Sequence, residues 1–333
     1  MAHSLYSHTM ALPPTAPLDI AARSVTGFGA GARPENQDNF LTIDADGMAC
    51  YLVGQVACHR LVAGWPAGHV RVAVLDGMGG HGHGREAAEA VVAGLLYLPA
   101  CDQLPVLEAA LDQMHAGLQQ AFAGEAGRRP GTTLTLLEIP PGSGALLYHV
   151  GDSRLYEIAG NVIAPLTIDH VPATSFAMHG AMSQQEWWEQ VHGEHRPQIS
   201  QAFMLGNAFA NPAQLDDALF PLTPANLPPW LAALADRRVV TLRREATYLL
   251  ATDGFWSCPR ALAWTARWPA LIAGRADSRA MVDALFDTLA TDPPPGMHPD
   301  NATAIVVRLA PPANTVADET ALPEPYHSAI KDV

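Results

Sequence analysis

The sequence predicts an α/β chain in which two mainly antiparallel sheets pack together with helices outside them. Three observations lead there. Short strands rich in β-branched residues come in runs, a pair of helical patterns follows each run, and Gly, Pro or Asp separates many neighbouring strands. Strands joined by tight turns are antiparallel, and sheets covered on one face by helices must bury the other against each other.

The elements follow in order. Strands are predicted around 23–28, 39–43, 48–53 and 70–75, and the segment 54–69 between the last two is longer than a hairpin needs. Helices follow at about 85–98 and 104–123; in the second, Leu107, Leu111, Met114, Leu118 and Phe122 recur at helical spacing. A second run of strands is expected near 132–139, 144–150, 153–158 and 161–166. From about 169 to 236 the periodicity is poor and prolines are frequent, so a mobile or variable segment with one short helix at 183–191 is expected. Strand 246–252, helices near 259–267 and 277–290 and strand 302–310 complete the pattern.

Residues 1–21 and 311–333 lack sustained periodicity and read as loose tails. Nineteen basic against 33 acidic residues give a net charge of −14, which argues against nucleic acid or an anionic membrane as partner. The four cysteines, Cys50, Cys58, Cys101 and Cys258, have no metal-ribbon or disulfide spacing. No apolar run reaches the roughly 18 residues of a membrane span, and a cytoplasmic, reducing location is expected.

The stretch Val70–Gly84, VRVAVLDGMGGHGHG, carries the chemistry. A buried strand ends in Asp76, and the glycine loop after it exposes backbone carbonyls, a combination suited to a hard divalent cation. Asp38, Asp152, Asp253 and Asp300 stand at comparable strand ends. Such acids are compatible with unrelated turns. Convergence on one rim fits their chemistry better, because Mg2+ or Mn2+ needs several carboxylates to offset its charge.

Together RPENQD, VLDGMGGHGHG, GTTLTL, YHVGDSRLYEI, LTIDH, LLATDGFW and DNATAIVV resemble the ordered motifs of the metal-dependent protein phosphatases, the PPM or type 2C family, across roughly residues 23–310. The resemblance implies a four-layer α-β-β-α sandwich with a centre for two Mn2+ or Mg2+ ions and an optional weaker third. It implies hydrolysis of phosphoserine and phosphothreonine in proteins by a hydroxide shared between the ions, opposing a cognate bacterial Ser/Thr kinase in stress signalling or type VI secretion. By the same resemblance Asp76 bridges the ions, Gly77 offers its carbonyl, and Asp253 and Asp300 are the other direct ligands. Asp38 holds an ion-bound water, Asp152 helps hold the third ion, and Arg33 grips the substrate phosphate. No side-chain nucleophile is required, so Ser153 is expected to support its turn.

The chain also departs from the pattern. Met78 stands where some animal members place a general-acid histidine, so the donor of the leaving-group proton is unassigned. His81 and His83 fit solvent exposure, a proton donor or a zinc site, the last lacking further ligands at close spacing. Met182–Asn207 follows the family's flap loosely, with Trp187 and Trp188 packing it on the body or meeting a partner. GFGAG at Gly27–Gly31 precedes Pro34 and no helix, against a dinucleotide site. Two alternatives stand beside the protein phosphatase: a catalytically weak phosphopeptide-binding scaffold, which keeping Asp76, Asp253, Asp300 and Arg33 argues against, and a small-molecule phosphatase.

Overall fold

A computed structural model describes residues 17–29, 32–78, 83–122, 130–193, 198–209, 211 and 213–310. In chain order the first part holds β1 (Leu18–Val25), β2 (Asn39–Ile43), β3 (Met48–Val53), β4 (Val56–Leu61), β5 (Val70–Leu75) and the two-residue β6 (Gly77–Met78). Helices α1 (Gly84–Tyr97) and α2 (Leu104–Phe122) follow, then β7 (Gly131–Thr132), β8 (Leu134–Ile139), β9 (Ala145–Val150), β10 (Arg154–Ala159) and β11 (Val162–Pro165). Next come α3 (Pro172–Met178), α4 (Gln184–Trp188) running into a π turn at Glu189–Gly193, and short β12 (Gln201–Ala202) and β13 (Gly206–Asn207). The chain closes through β14 (Arg237–Val240), β15 (Thr247–Ala251), α5 (Asp253–Trp256), α6 (Ala261–Thr265), α7 (Trp268–Ile272), α8 (Ser278–Thr291) and β16 (Ala302–Leu309).

Two sheets form the body, in orders β14-β9-β8-β5-β2-β3-β4 and β1-β16-β15-β10-β11. Their strand pairings are antiparallel throughout. The two-residue alternation of strand side chains decides the layers. In β5, Val70, Val72 and Val74 face the second sheet and pack with Leu137, Leu147, Tyr248, Leu250, Ile305 and Val307. Ala73 and Leu75 turn the other way, onto Ala88, Val91, Leu95, Leu107 and Leu111 of α1 and α2. On the outer face of the second sheet Leu249, Ala251, Ala304 and Val306 meet Trp256, Trp268, Val282, Leu285 and Phe286 of α5, α7 and α8. The result is the expected α-β-β-α sandwich.

Several expectations need correcting. The first strand begins at Leu18, not 23, and pairs with β16 along its whole length, so the N-terminal tail was drawn too long; residues 1–16 and 311–333 lie outside the described residues. The 54–69 segment contains β4, an edge strand so exposed that no burial pattern marks it in the sequence. The helix expected at 259–267 is the shorter α6, and α7, with Pro269 in its first turn, follows it where no helix was expected. Helix 183–191 becomes α4 followed by the π turn. The stretch 169–236, expected to be mobile or variable, packs with Ile168 into a core of its own that includes Val171, Trp187, Phe209, Leu222, Leu227 and Leu231. Trp187 is buried there, with its Nε1 hydrogen donated to Thr174 Oγ1 at 3.1 Å, whereas Trp188 is 38% exposed.

Candidate active site

Antiparallel register brings distant acids to one end of the sandwich. Asn39 lies opposite Leu75, so Asp38 and Asp76 extend from adjacent strands. Ala251 lies opposite both Arg154 and Ala304, which places Asp253, Asp152 and Asp300 on the same rim. Asp76, Asp152, Asp253 and Asp300 line a cleft of about 420 Å3 together with Arg33, Glu35, Gln37, Gly77, Met78, Gln198, Ile199 and Asn301. Asp38 is buried just behind it.

Hydroxyl groups fix the acids from behind. Thr252 Oγ1 and Thr303 Oγ1 both donate to Asp38 Oδ2 at 2.8 Å. Thr133 Oγ1 accepts the Asp76 N–H at 2.9 Å, and its hydroxyl meets Ser153 Oγ at 2.7 Å. Ser153 is thus buried and committed to the turn, as expected. Asn301 ties the Arg33 loop to the start of β16: its Oδ1 accepts the Gln37 N–H at 2.8 Å, and its Nδ2 donates to Glu35 O at 2.8 Å and Thr26 O at 3.2 Å. The β3–β4 hairpin tip supports this loop too, Gln55 Oε1 accepting the Asn36 N–H at 2.8 Å. Glycine is required where these loops touch. A Cβ on Gly77 would lie 2.3 Å from Gly84 O and 2.4 Å from Gln37 O, and one on Gly254 would lie 1.9 Å from Asn301 O.

The sequence reading missed Thr133, Thr252, Thr303 and Gln55. Their signals were faint: Thr252 and Thr303 stand near acids, Thr133 between two strands with no site acid beside it, and Gln55 in an exposed turn.

The electrostatics are those of buried acids whose mutual repulsion and desolvation outweigh the nearby Arg33 and Arg154 charges. Burial first, then Asp253, Asp38 and Asp152, push the Asp76 pKa well above the ordinary carboxylate value. Burial and Asp253 raise Asp152; burial and Asp300 raise Asp253. Burial, partly offset by the two threonine hydroxyls, pushes Asp38 up to about 8. A divalent cation held among these acids would offset their crowded charge. The donors are all oxygen, as Mg2+ or Mn2+ prefers. Among the described residues no three such side chains are already closed around one point as a finished coordination shell.

A pH dependence follows. An acid whose pKa is raised by folding holds more protons folded than unfolded, so its stabilising contribution falls as pH rises through the folded value. In EDTA, the melting temperature is expected to drop as pH increases from about 4 to about 8, and Mn2+ is expected to flatten that drop. Thermal melts across this range, with and without Mn2+, check both expectations.

Arg33 stands at the rim, its Nη2 3.0 Å from Asp300 Oδ2 and its Nε donating to Pro299 O at 3.1 Å. With side chains 53% and 36% exposed, this pair is weak and can exchange for an incoming anion. Glu35 faces the cleft but is held by Arg85 Nε at 2.7 Å, whose hydrogen bond keeps its pKa low. Met78 lines the cleft. His83 is exposed, and His81 lies outside the described residues.

Comparison with known proteins gives a consistent picture. No family model matches the chain. The serine/threonine protein phosphatase PstP of Mycobacterium tuberculosis is 33% identical over 129 residues, covering 36% of this chain and 24% of PstP. Protein phosphatase PhpP of Streptococcus pneumoniae is 31% identical over 127 residues, covering 36% of this chain and 51% of PhpP. The chain therefore spans about half or less of the length of the curated relatives it matches. Among solved structures, PppA, a key regulatory component of T6SS in Pseudomonas aeruginosa, is 22% identical with a TM-score of 0.57, covering 88% of this chain and 98% of PppA. The catalytic domain of PstP in complex with two manganese ions is 21% identical with a TM-score of 0.55, covering 88% of this chain and 99% of that domain. The chain thus has the fold of bacterial PPM-type serine/threonine phosphatases and is similar to them in sequence over about a third of its length.

Proposed function

We propose that this chain is a Mg2+- or Mn2+-dependent phosphatase acting on phosphoserine and phosphothreonine in proteins, opposing a bacterial Ser/Thr kinase. The observation that carries the reading is the convergence of Asp38, Asp76, Asp152, Asp253 and Asp300 from separate segments on one open cleft, with Arg33 at its rim. Asp76, Asp253, Asp300 and the Gly77 carbonyl hold two ions in this reading, and Asp152 contributes to a weaker third. Bound ions offset charge on the phosphoryl oxygens and acidify the attacking water.

The protein's own residues supply position. Asp38, with Oδ2 held by two threonines, orients the attacking water towards phosphorus. Arg33 leaves Asp300 and offers its guanidinium fork to two phosphate oxygens. Ser153, buried and hydrogen-bonded, forms no covalent intermediate. The cleft continues beyond Arg33 into a depression of about 380 Å3 lined by Gly254, Ser257, His298 and Pro299. That open shape favours a polypeptide substrate over an enclosed metabolite. A role in stress signalling or in control of secretion belongs to this proposal, the latter by analogy with PppA.

Release of phosphate from a phosphothreonine peptide and from p-nitrophenyl phosphate, in EDTA, Mg2+ or Mn2+, tests the reading. Ion-dependent release from the peptide is expected. A charged hydrogen bond contributes about 1.5–3 kcal/mol, so Arg33→Ala is expected to lower kcat/KM roughly tenfold to a hundredfold, mostly through KM. Folded, ion-loaded protein that releases phosphate from neither compound would move the assignment to a phosphopeptide-binding scaffold.

A further inference from the structure

The segment between the flap and β14 ends in a buried acid that the proposed chemistry does not use. Asp236 is almost wholly enclosed, and its Oδ2 accepts from Leu222 N–H at 2.9 Å while lying 3.1 Å from His170 Nε2. Its backbone is committed as well, its N–H donating to Leu222 O at 3.0 Å and its carbonyl accepting from His149 N–H at 2.9 Å. His170, also fully buried, reaches the site from the other side of its ring: Nδ1 accepts the Gly151 N–H at 2.8 Å, and the His170 N–H returns a bond to Gly151 O at 2.8 Å.

These bonds fix the imidazole tautomer. A backbone N–H only donates, so Nδ1 facing Gly151 carries no proton and the ring hydrogen sits on Nε2. That hydrogen points at Asp236. Without a buried acceptor there, the other tautomer would be competitive and the Gly151 N–H would lose its acceptor, leaving only the backbone bond from His170 N–H to Gly151 O. Gly151 is a demanding residue to hold. Its φ is +117°, and a Cβ there would lie 2.6 Å from the Thr133 side chain. It is also the residue immediately before Asp152. His170 grips the flap as well, its carbonyl accepting from Ser200 N–H at 2.7 Å next to the cleft-lining Gln198 and Ile199.

We infer that Asp236 is a positioning residue for the Asp152 turn: by holding His170 in its Nε2–H tautomer it fixes Gly151, and so sets the affinity of the divalent ion that Asp152 helps to hold. The inference rests on the proposed metal-dependent reading, but its first readout does not. The segment expected to be mobile or variable thereby gains a defined task, linking its own core to the cleft.

The test uses full-length protein, Asp236→Ala and Asp236→Asn. Long-range 15N–1H correlation in EDTA reports the His170 tautomer, and calorimetric titration with Mn2+ reports the sites. Wild type is expected to show the Nε2–H tautomer. Asp236→Ala is expected to lose it and to weaken the weakest Mn2+ site roughly tenfold to a hundredfold, the scale on which an outer partner of a metal site acts, while tighter sites keep their affinity. Asp236→Asn, whose amide oxygen accepts the same hydrogen, is expected to retain both properties. An unchanged tautomer in Asp236→Ala, or equal weakening of every site in both variants, would overturn the inference. If Asp236→Ala does not fold, His170→Gln removes the acceptor at the Nδ1 position, and an unweakened weakest site there would overturn it equally. Wild type that binds no Mn2+ would instead sink the metal-dependent function, leaving the tautomer to decide the role of Asp236.

Discussion

Asp76→Asn is expected to remove high-affinity Mn2+ binding and to lower peptide turnover by roughly a hundredfold to a thousandfold or more, the loss typical of a principal electrostatic element. The same substitution is expected to make the protein more stable in EDTA. Asp76 stands among Asp253, Asp38 and Asp152, and burial with that repulsion raises its pKa well above the ordinary value. An amide of the same shape removes one buried charge or its enforced proton while keeping the backbone hydrogen bond to Thr133. A site that trades stability for ion affinity behaves in this way. Melting curves supply the check: wild type should gain about 2.7 kcal/mol at Mn2+ a hundredfold above its Kd, and Asp76→Asn should start higher and gain almost nothing. A variant that is less stable in EDTA, or that is still stabilised by Mn2+ as wild type is, would remove Asp76 from the ion site.

Arg71→Met is expected to destabilise the fold by about 3–5 kcal/mol, the cost of leaving one partner of a buried ion pair alone. Arg71 and Glu138 are both fully enclosed, with Arg71 Nε 2.6 Å from Glu138 Oε2 and Nη2 2.9 Å from Oε1. Arg71 also donates to Leu95 O at 2.6 Å, Leu98 O at 2.8 Å and Pro99 O at 2.9 Å, satisfying carbonyls where α1 ends. Burial alone would raise the Glu138 pKa; the His69 hydrogen bond and the Arg71 charge outweigh it and bring it below the ordinary value. Without Arg71 that carboxylate keeps only His69 and the Cys101 N–H. The loss is a large part of the roughly 5–15 kcal/mol available to a folded domain. Urea denaturation of Arg71→Met and of Arg71→Met with Glu138→Gln provides the check. The double variant should recover part of the loss, because both charges are gone. Arg71→Met within about 1 kcal/mol of wild type would show that the pair contributes no more than an exposed one.

Much of the frame was legible because burial leaves a pattern. β5, β8 and β9 are buried on both faces and read as mostly apolar runs, interrupted by Arg71, Thr135, Glu138 and His149, and α2 carried a clean helical stripe. The acids were legible because each stands at or beside a strand end, Asp38 and Asp300 before their strands and the others after theirs, next to turn chemistry. β4 was not legible, because an exposed edge strand needs no apolar alternation. The order within 169–236 left little signal for a related reason. Its core gathers Ile168, Phe209, Leu222 and Leu231 from irregular backbone and Trp187 from the five-residue α4, too little regular structure to leave a period.

The sequence by itself determined two sheets between helical layers and an acid at the end of each relevant strand, because local periodicity and turn residues encode both. Tertiary structure alone decided which groups stand together. Antiparallel register carried Asp38 beside Asp76 and brought Asp152, Asp253 and Asp300 to the same end. Packing selected Thr252 and Thr303 to hold Asp38, and placed Asp236 behind His170. A hydrogen bond between residues tens or hundreds of positions apart depends on the meeting of whole elements, and no local stretch of sequence records that meeting.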